Sequence, residues 1–260
     1  MHKPVADLSS VRILVSNDDG IHAPGIKVLE RVARSLSKDV WVVAPETEQS
    51  AVAHSLTLRQ PLRVRQLSRR RFAVDGTPTD SVLLGIRHVL KDRPPNLVLS
   101  GINRGANLGE DVHYSGTVAA AVEGALLGVP SIAFSLQYTP GHPVKWATAE
   151  HFAPDIIRRA MAVGWARDVL LNVNFPDLPQ AQVSGIEIRR QGKRKLGDAL
   201  TEGLDPRGEP YLWIGAQRLE DRSLPGTDLE AVSQGAVAVV PLRIDLTDAA
   251  AMQRLAPVFA

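Results

Sequence analysis

The stretch Val11 to Gly20, VRILVSNDDG, constrains the fold of this chain more than any other. Branched apolar residues (Val11, Ile13, Leu14, Val15) stop abruptly at Ser16, Asn17, Asp18, Asp19 and Gly20. Short apolar runs of this kind mark strands buried on both faces, as in parallel sheets. Polar residues at the carboxyl end of such a strand lie where open α/β sheets build their ligand sites. Two adjacent carboxylates there repel each other and are costly to desolvate unless a cation joins them. A divalent-metal site on the first strand of an α/β domain is the expectation. The plainer alternative is that one acid caps the following turn and the other is solvated.

The pattern then repeats. Pro24 and Gly25 open a helix whose apolar positions Ile26, Leu29, Val32, Ala33 and Leu36 follow helical spacing. Asp39 to Ala44 reads as a second strand closed by Pro45, and Leu62–Val64 and Phe72–Val74 as short strands flanking Arg69, Arg70 and Arg71. Thr77, Pro78 and Asp80 supply a capping hydroxyl, a first-turn proline and a first-turn acid, predicting a helix to about Leu90. Strands are expected at Asn96–Ser100, Ser131–Ser135 and Val169–Val173, and helices at Ser115–Leu127 and Lys145–Val163. This β-then-α order predicts a doubly wound, mostly parallel, Rossmann-like sheet. After Pro176 the texture changes to strands (Ile186–Arg190, Tyr211–Ile214, Val237–Pro241) among polar and Gly/Pro-rich stretches. The expected organisation is a flexible tail over 1–10, an α/β catalytic core over 11–178, and a strand-rich hairpin with a C-terminal oligomerisation segment over 179–260.

Composition narrows the chemistry. With no cysteine among 260 residues, thiolate catalysis, disulfides, Cys-ligated zinc and iron–sulfur clusters are excluded. A net charge of +2 is too small to imply a nucleic-acid partner. The most apolar long segment, Val118 to Phe134, is interrupted by Glu123 and Pro130, so no membrane span is expected, and a cytoplasmic location is the default.

Two further constellations fall at the carboxyl edge of the predicted sheet. Ser100 to Gly109, SGINRGANLG, follows a strand; its three glycines and two asparagines permit positive φ and expose backbone N–H groups that cradle anions. It carries neither the P-loop Gly-Lys-Ser/Thr nor the dinucleotide-binding glycine spacing. Tyr114-Ser115-Gly116-Thr117 places two hydroxyls and a glycine at a helix N-terminus, a phosphate site or a plain cap. Taken together with Asp18 and Asp19, they form one site: carboxylates for a metal, a glycine-rich loop, and a helix mouth for an anion. His22 and His113 lie beside these motifs, and Trp146, Trp165 and Trp213 read as packing residues.

The segments SNDDGIHAPGI (Ser16–Ile26), GTPTDSV (Gly76–Val82) and SGINRGANLGEDVHYSGTVAAAVEGA (Ser100–Ala125) closely resemble the SurE family of survival proteins. So do LNVNFPDLP (Leu171–Pro179), DPRGEPYLWIG (Asp205–Gly215) and GTDLEAVSQGAVAVVPL (Gly226–Leu242). The resemblance runs in order from about Val11 to Leu246. It implies a metal-dependent phosphatase of nucleoside 5′-monophosphates. By residue, it implies metal ligation by Asp18, Asp19, Ser50 and Asn103, and phosphate binding by Asn107, Ser115, Gly116 and Thr117. It also implies a homodimer or homotetramer that exchanges C-terminal segments. The implied ligands are all oxygen donors, two carboxylates, a hydroxyl and an amide carbonyl, which suits one Mg²⁺ or Mn²⁺ per subunit rather than zinc.

The expected chemistry is in-line attack of water on phosphorus, with Asp18 or Asp19 orienting the water or taking its proton. An aspartyl-phosphate intermediate is the rival route. Other readings are a broader phosphatase acting on 3′-nucleotides or polyphosphate, or a nucleotide-binding stress-response protein with incidental activity. No stable nucleic-acid partner is expected, and no residue identifies a base-reading pocket.

Overall fold

In a computed structural model, residues 1–196, 200–214, 218–220 and 224–259 are described. The expected β-then-α alternation is present. Strand β1 (Arg12–Ser16) leads to helix α1 (Pro24–Leu36), then β2 (Asp39–Pro45), β3 (Val64–Ser68), β4 (Arg71–Val74) and α2 (Pro78–Leu84). Next come β5 (Leu97–Arg104), α3 (Gly116–Leu126), β6 (Ser131–Leu136), α4 (Trp146–Val163) and β7 (Val169–Phe175). The chain continues through β8 (Ile186–Ile188), β9 (Arg194–Leu196), β10 (Leu200–Leu204), β11 (Pro210–Ile214) and β12 (Arg218–Glu220). Helix α5 (Asp228–Ser233), strand β13 (Val237–Arg243) and helix α6 (Ala249–Leu255) follow.

One nine-stranded sheet runs β3-β4-β2-β1-β5-β6-β7-β13-β8. Pairing is parallel from β4 through β7, while β3 against β4 and β13 against β7 are antiparallel. The sheet is buried on both faces, as the unbroken apolar strands require. Ile13 and Val15 join the apolar cluster under α1 and α4, and Leu14 joins the cluster on the opposite face, with Val82 of α2 and Ala120 of α3. Strand order reverses at β1: β2 lies on one side and β5 on the other. Crevices at such a reversal are where doubly wound sheets bind ligands.

The structure shifts several expected boundaries. The strand expected at Leu62–Val64 lies later, at Val64–Ser68, because its pairing with β4 crosses a register shift between Gln66 and Ser68. The helix expected to reach Leu90 is α-helical only to Leu84 and continues as a π-helical turn over Gly85–Val89. Strand β5 does not stop at Ser100. It runs to Arg104, because β6 continues to pair with it at Asn103 and Arg104 beyond an irregularity. Residues 1–10 take no helix or strand, yet His2 and Leu8 are buried and the His2 N–H donates to the Trp165 carbonyl at 2.7 Å.

Past β8 the chain leaves the sheet. β9 pairs with β12, and β10 with β11, in an antiparallel ribbon. Gly215, at the end of the DPRGEPYLWIG motif, lies outside the described residues. Trp213 does not pack as expected; it is exposed, as are Leu200, Leu204, Leu212 and Ile214. Helix α6 is capped by Asp248, whose carboxylate accepts the Ala250 and Ala251 N–H groups, and it buries no residue. Among the described residues, no helix is long and apolar enough to cross a membrane.

Candidate active site

The carboxyl ends of β1 and β5 and the mouth of α3 enclose a cavity of about 230 Å³. Asp18, Asp19, Glu48, Ser50, Asn103, Arg104, Asn107, Asp111, Tyr114 and Ser115 line it, with Ala51. The structure thus gathers six of the eight sequence-predicted residues around one space. Gly116 and Thr117 stand directly behind Asp18.

Asp18 is almost fully buried at the end of β1. Burial pushes its carboxyl up to about 6; the Thr117 hydroxyl pulls it back, and the neighbouring Asp19 raises it further. The Thr117 hydroxyl donates to Asp18 Oδ1. That hydroxyl therefore faces the carboxylate rather than the cavity. Burial also raises Asp19, opposed by the backbone N–H of Arg104 at 3.4 Å and reinforced by Glu48.

Helix α3 approaches this pair closely because residue 116 is glycine. A Cβ there would lie 2.8 Å from Asp18 Cβ and 3.1 Å from Pro78 Cγ. Ser115 is the N-cap of α3: its hydroxyl accepts the Val118 N–H at 3.0 Å. The N-terminus of α3 thus opens beside the cavity through Ser115, and its dipole suits an anion there.

The glycine-rich segment supplies two amides. Asn103 donates its Nδ2 to the Gly105 carbonyl at 2.8 Å, and among the described residues its Oδ1 accepts no hydrogen bond. Asn107 is fixed from several sides. Its N–H donates to Asn174 Oδ1 at 2.8 Å, its Nδ2 to Ser135 Oγ at 2.8 Å, and its carbonyl accepts from Asn172 at 2.9 Å. Gly101 lets this segment pass β6, since a Cβ would sit 2.3 Å from the Phe134 carbonyl oxygen at a φ of +124°.

Ser50 stands exposed at the rim and donates to Glu48 Oε1 at 2.6 Å. Its loop is tied down by the Gln49 N–H on the Asp18 carbonyl (2.8 Å) and by a 2.9 Å contact between His54 Nε2 and Glu123. His113 lines a neighbouring apolar groove rather than the polar cavity.

Sequence reasoning missed Glu48, Arg104, Asp111 and Tyr114 as cavity residues. Arg104 lies inside the glycine-rich segment and Glu48 two residues before Ser50, so proximity to the motifs was the available signal. Four carboxylates and one guanidinium line the cavity, an excess of negative charge. No group of three or more His, Cys, Asp or Glu side chains suited to a metal gathers among the described residues. Asp18, Asp19, Ser50 and Asn103 would offer a cation two carboxylates and two neutral oxygens. That donor set is hard and oxygen-only, and it fits Mg²⁺ or Mn²⁺.

The family model described as Survival protein SurE matches residues 13–198. The chain is 70% identical to the protein named 5′-nucleotidase SurE of Paramagnetospirillum magneticum, over 98% of this chain and 98% of that protein. It is 57% identical to the protein of the same name from Rhodospirillum rubrum, over 100% of both chains. The crystal structure of the SurE protein from Aquifex aeolicus superposes with a TM-score of 0.85 at 42% identity, covering 96% of this chain and 100% of that one.

Proposed function

The chain belongs to the SurE family, and on that premise we propose that it is a divalent-metal-dependent 5′-nucleotidase, hydrolysing nucleoside 5′-monophosphates to nucleoside and phosphate. The observation that carries this reading is the convergence of Asp18, Asp19 and Asn103 with the mouth of α3 on one polar cavity. Asp18, Asp19, Ser50 and Asn103 would hold one Mg²⁺ or Mn²⁺ per subunit. A cation held there supplies positive charge against the phosphate dianion and its developing negative charge.

The rest of the chemistry falls to the chain's own groups. The first turn of α3, capped by Ser115, orients phosphate oxygens, and Asn107 fixes the floor beside it. Thr117 acts one step back, holding the Asp18 carboxylate in place. Asp19, at the cavity wall, orients the attacking water. Water oxygen bonds to phosphorus as the bond to the ribose 5′-oxygen breaks, and the water proton ends on the departing hydroxyl.

Exposed apolar surface supports assembly with a second copy of this chain. Leu246, Met252, Leu255, Val258 and Phe259 are exposed on the C-terminal segment, and an apolar groove of about 650 Å³ runs along α3 and β13. Exchange of C-terminal segments between two copies of this chain would cover both. Phosphate release from nucleoside 5′- and 3′-monophosphates and polyphosphate, with Mg²⁺, Mn²⁺ or EDTA, tests the activity. Release that needs metal and favours 5′-monophosphates is expected; metal-independent release, or none from folded protein, overturns it.

A further inference from the structure

Of the four carboxylates lining the cavity, Asp111 has no part in the proposed cation site. Its side chain is 5% exposed, and its partner, 7% exposed, is Arg194 at the foot of the ribbon. Arg194 Nε donates to Asp111 Oδ2 at 2.9 Å, and a terminal nitrogen donates to the same oxygen. That terminal nitrogen also donates to the Ala106 carbonyl at 3.0 Å, and the Arg194 N–H donates to the Glu110 carboxylate. Asp228 adds a second tie, accepting the Gly109 N–H at 3.0 Å and the Gly192 N–H at 2.8 Å.

This clamp reaches the helix mouth. The Asp111 carbonyl accepts the N–H groups of Tyr114 (3.0 Å) and Ser115 (3.1 Å), so Asp111 sets the position of the α3 cap. It also decides the charge that a phosphate meets. An uncompensated carboxylate at the wall of a small cavity repels a dianion, whereas one held by a guanidinium does not.

We propose that Arg194 is a positioning residue of the active site: it neutralises Asp111 at the cavity wall and holds the Ala106–Asp111 loop, so that a phosphate dianion can enter and meet the mouth of α3. The inference rests on the nucleotidase reading and adds to it a residue 83 positions from Asp111 in sequence.

The test uses the full chain with Mn²⁺, 4-nitrophenyl phosphate as substrate and inorganic phosphate as competing inhibitor. Arg194→Met is expected to raise both KM and the phosphate inhibition constant about tenfold, with kcat changing less. Adding Asp111→Asn in the same chain removes the carboxylate that the guanidinium offset and should bring both constants back to within about threefold of wild type. Arg194→Lys keeps the charge but not the fork, and where Arg194→Met does not fold it is expected to raise both constants less than tenfold. A purely structural role instead lowers kcat and the melting temperature along with the rise in KM, and all three recover together in the double variant; that pattern overturns the inference. Unchanged constants in Arg194→Met, no recovery in the double variant, or a tenfold loss in folded Arg194→Lys overturns the inference alone. A wild-type chain that neither hydrolyses the ester nor binds phosphate overturns the nucleotidase reading, and this inference with it.

Discussion

The crevice at β1 and the ribbon of β10 and β11 treat burial in opposite ways. In β1, Ile13, Leu14 and Val15 are fully buried, and the same packing takes in Asp18, a carboxylate that burial disfavours. In the ribbon, Leu200, Leu204, Leu212, Trp213 and Ile214 remain in solvent. The crevice spends part of the stability of a self-sufficient sheet on holding a charge where a ligand will meet it. The ribbon contributes little to that sheet and keeps an apolar surface of the kind that marks a contact with another molecule. On the proposed reading, catalysis draws on buried polar residues of the crevice and assembly on exposed apolar ones.

Substitutions can break that contrast. The largest effect is expected from Asp18→Asn, which should lower hydrolysis by about a thousandfold or more, on the scale of losing an essential electrostatic group. In EDTA the same variant should melt higher than wild type. It removes a buried charge whose pKa is raised from 3.8 to about 6, a cost on the order of 3 kcal/mol. A lower melting temperature would show that the carboxylate stabilises the crevice, and the contrast would fail.

Gly116→Ala should come next. The new Cβ would press on Asp18 and Pro78, costing about 1–3 kcal/mol of stability. Displacement of the carboxylate should also cut hydrolysis about tenfold or more. Calorimetric melting and steady-state rates measure the two effects, and wild-type values for both would remove the close approach of α3 from the account of the site.

Trp213→Ser in the ribbon should be smallest for the single chain, within about 0.5 kcal/mol of wild-type stability. Its expected consequence is weaker self-association, read by sedimentation velocity across a dilution series. A loss of chain stability as large as that of Gly116→Ala would show that the ribbon belongs to the core after all.

What could be read in advance was local. The apolar run before Asp18, the Thr77 and Ser115 caps and the helical spacing of α1 are written in adjacent residues, and each element formed where those signals lie. What could not be read depends on partners distant in sequence. The start of β3 is set by its pairing with β4, and the extension of β5 by β6. Thr117 sits where the pattern puts it, but the direction of its hydroxyl is fixed by Asp18, 99 residues away. Trp213 has the composition of a core residue and lies exposed on a ribbon that no other element covers among the described residues. Arg194 reads as one basic residue among several until the fold brings it to Asp111.

The most direct test of the crevice is a calorimetric titration of wild-type protein and Asp19→Asn with Mn²⁺, followed by a phosphate-release assay on the same samples. One ion bound per wild-type chain with hydrolysis of a nucleoside 5′-monophosphate, and neither in a folded Asp19→Asn chain, is the expected result. Equal Mn²⁺ binding and equal turnover in the two proteins would contradict it.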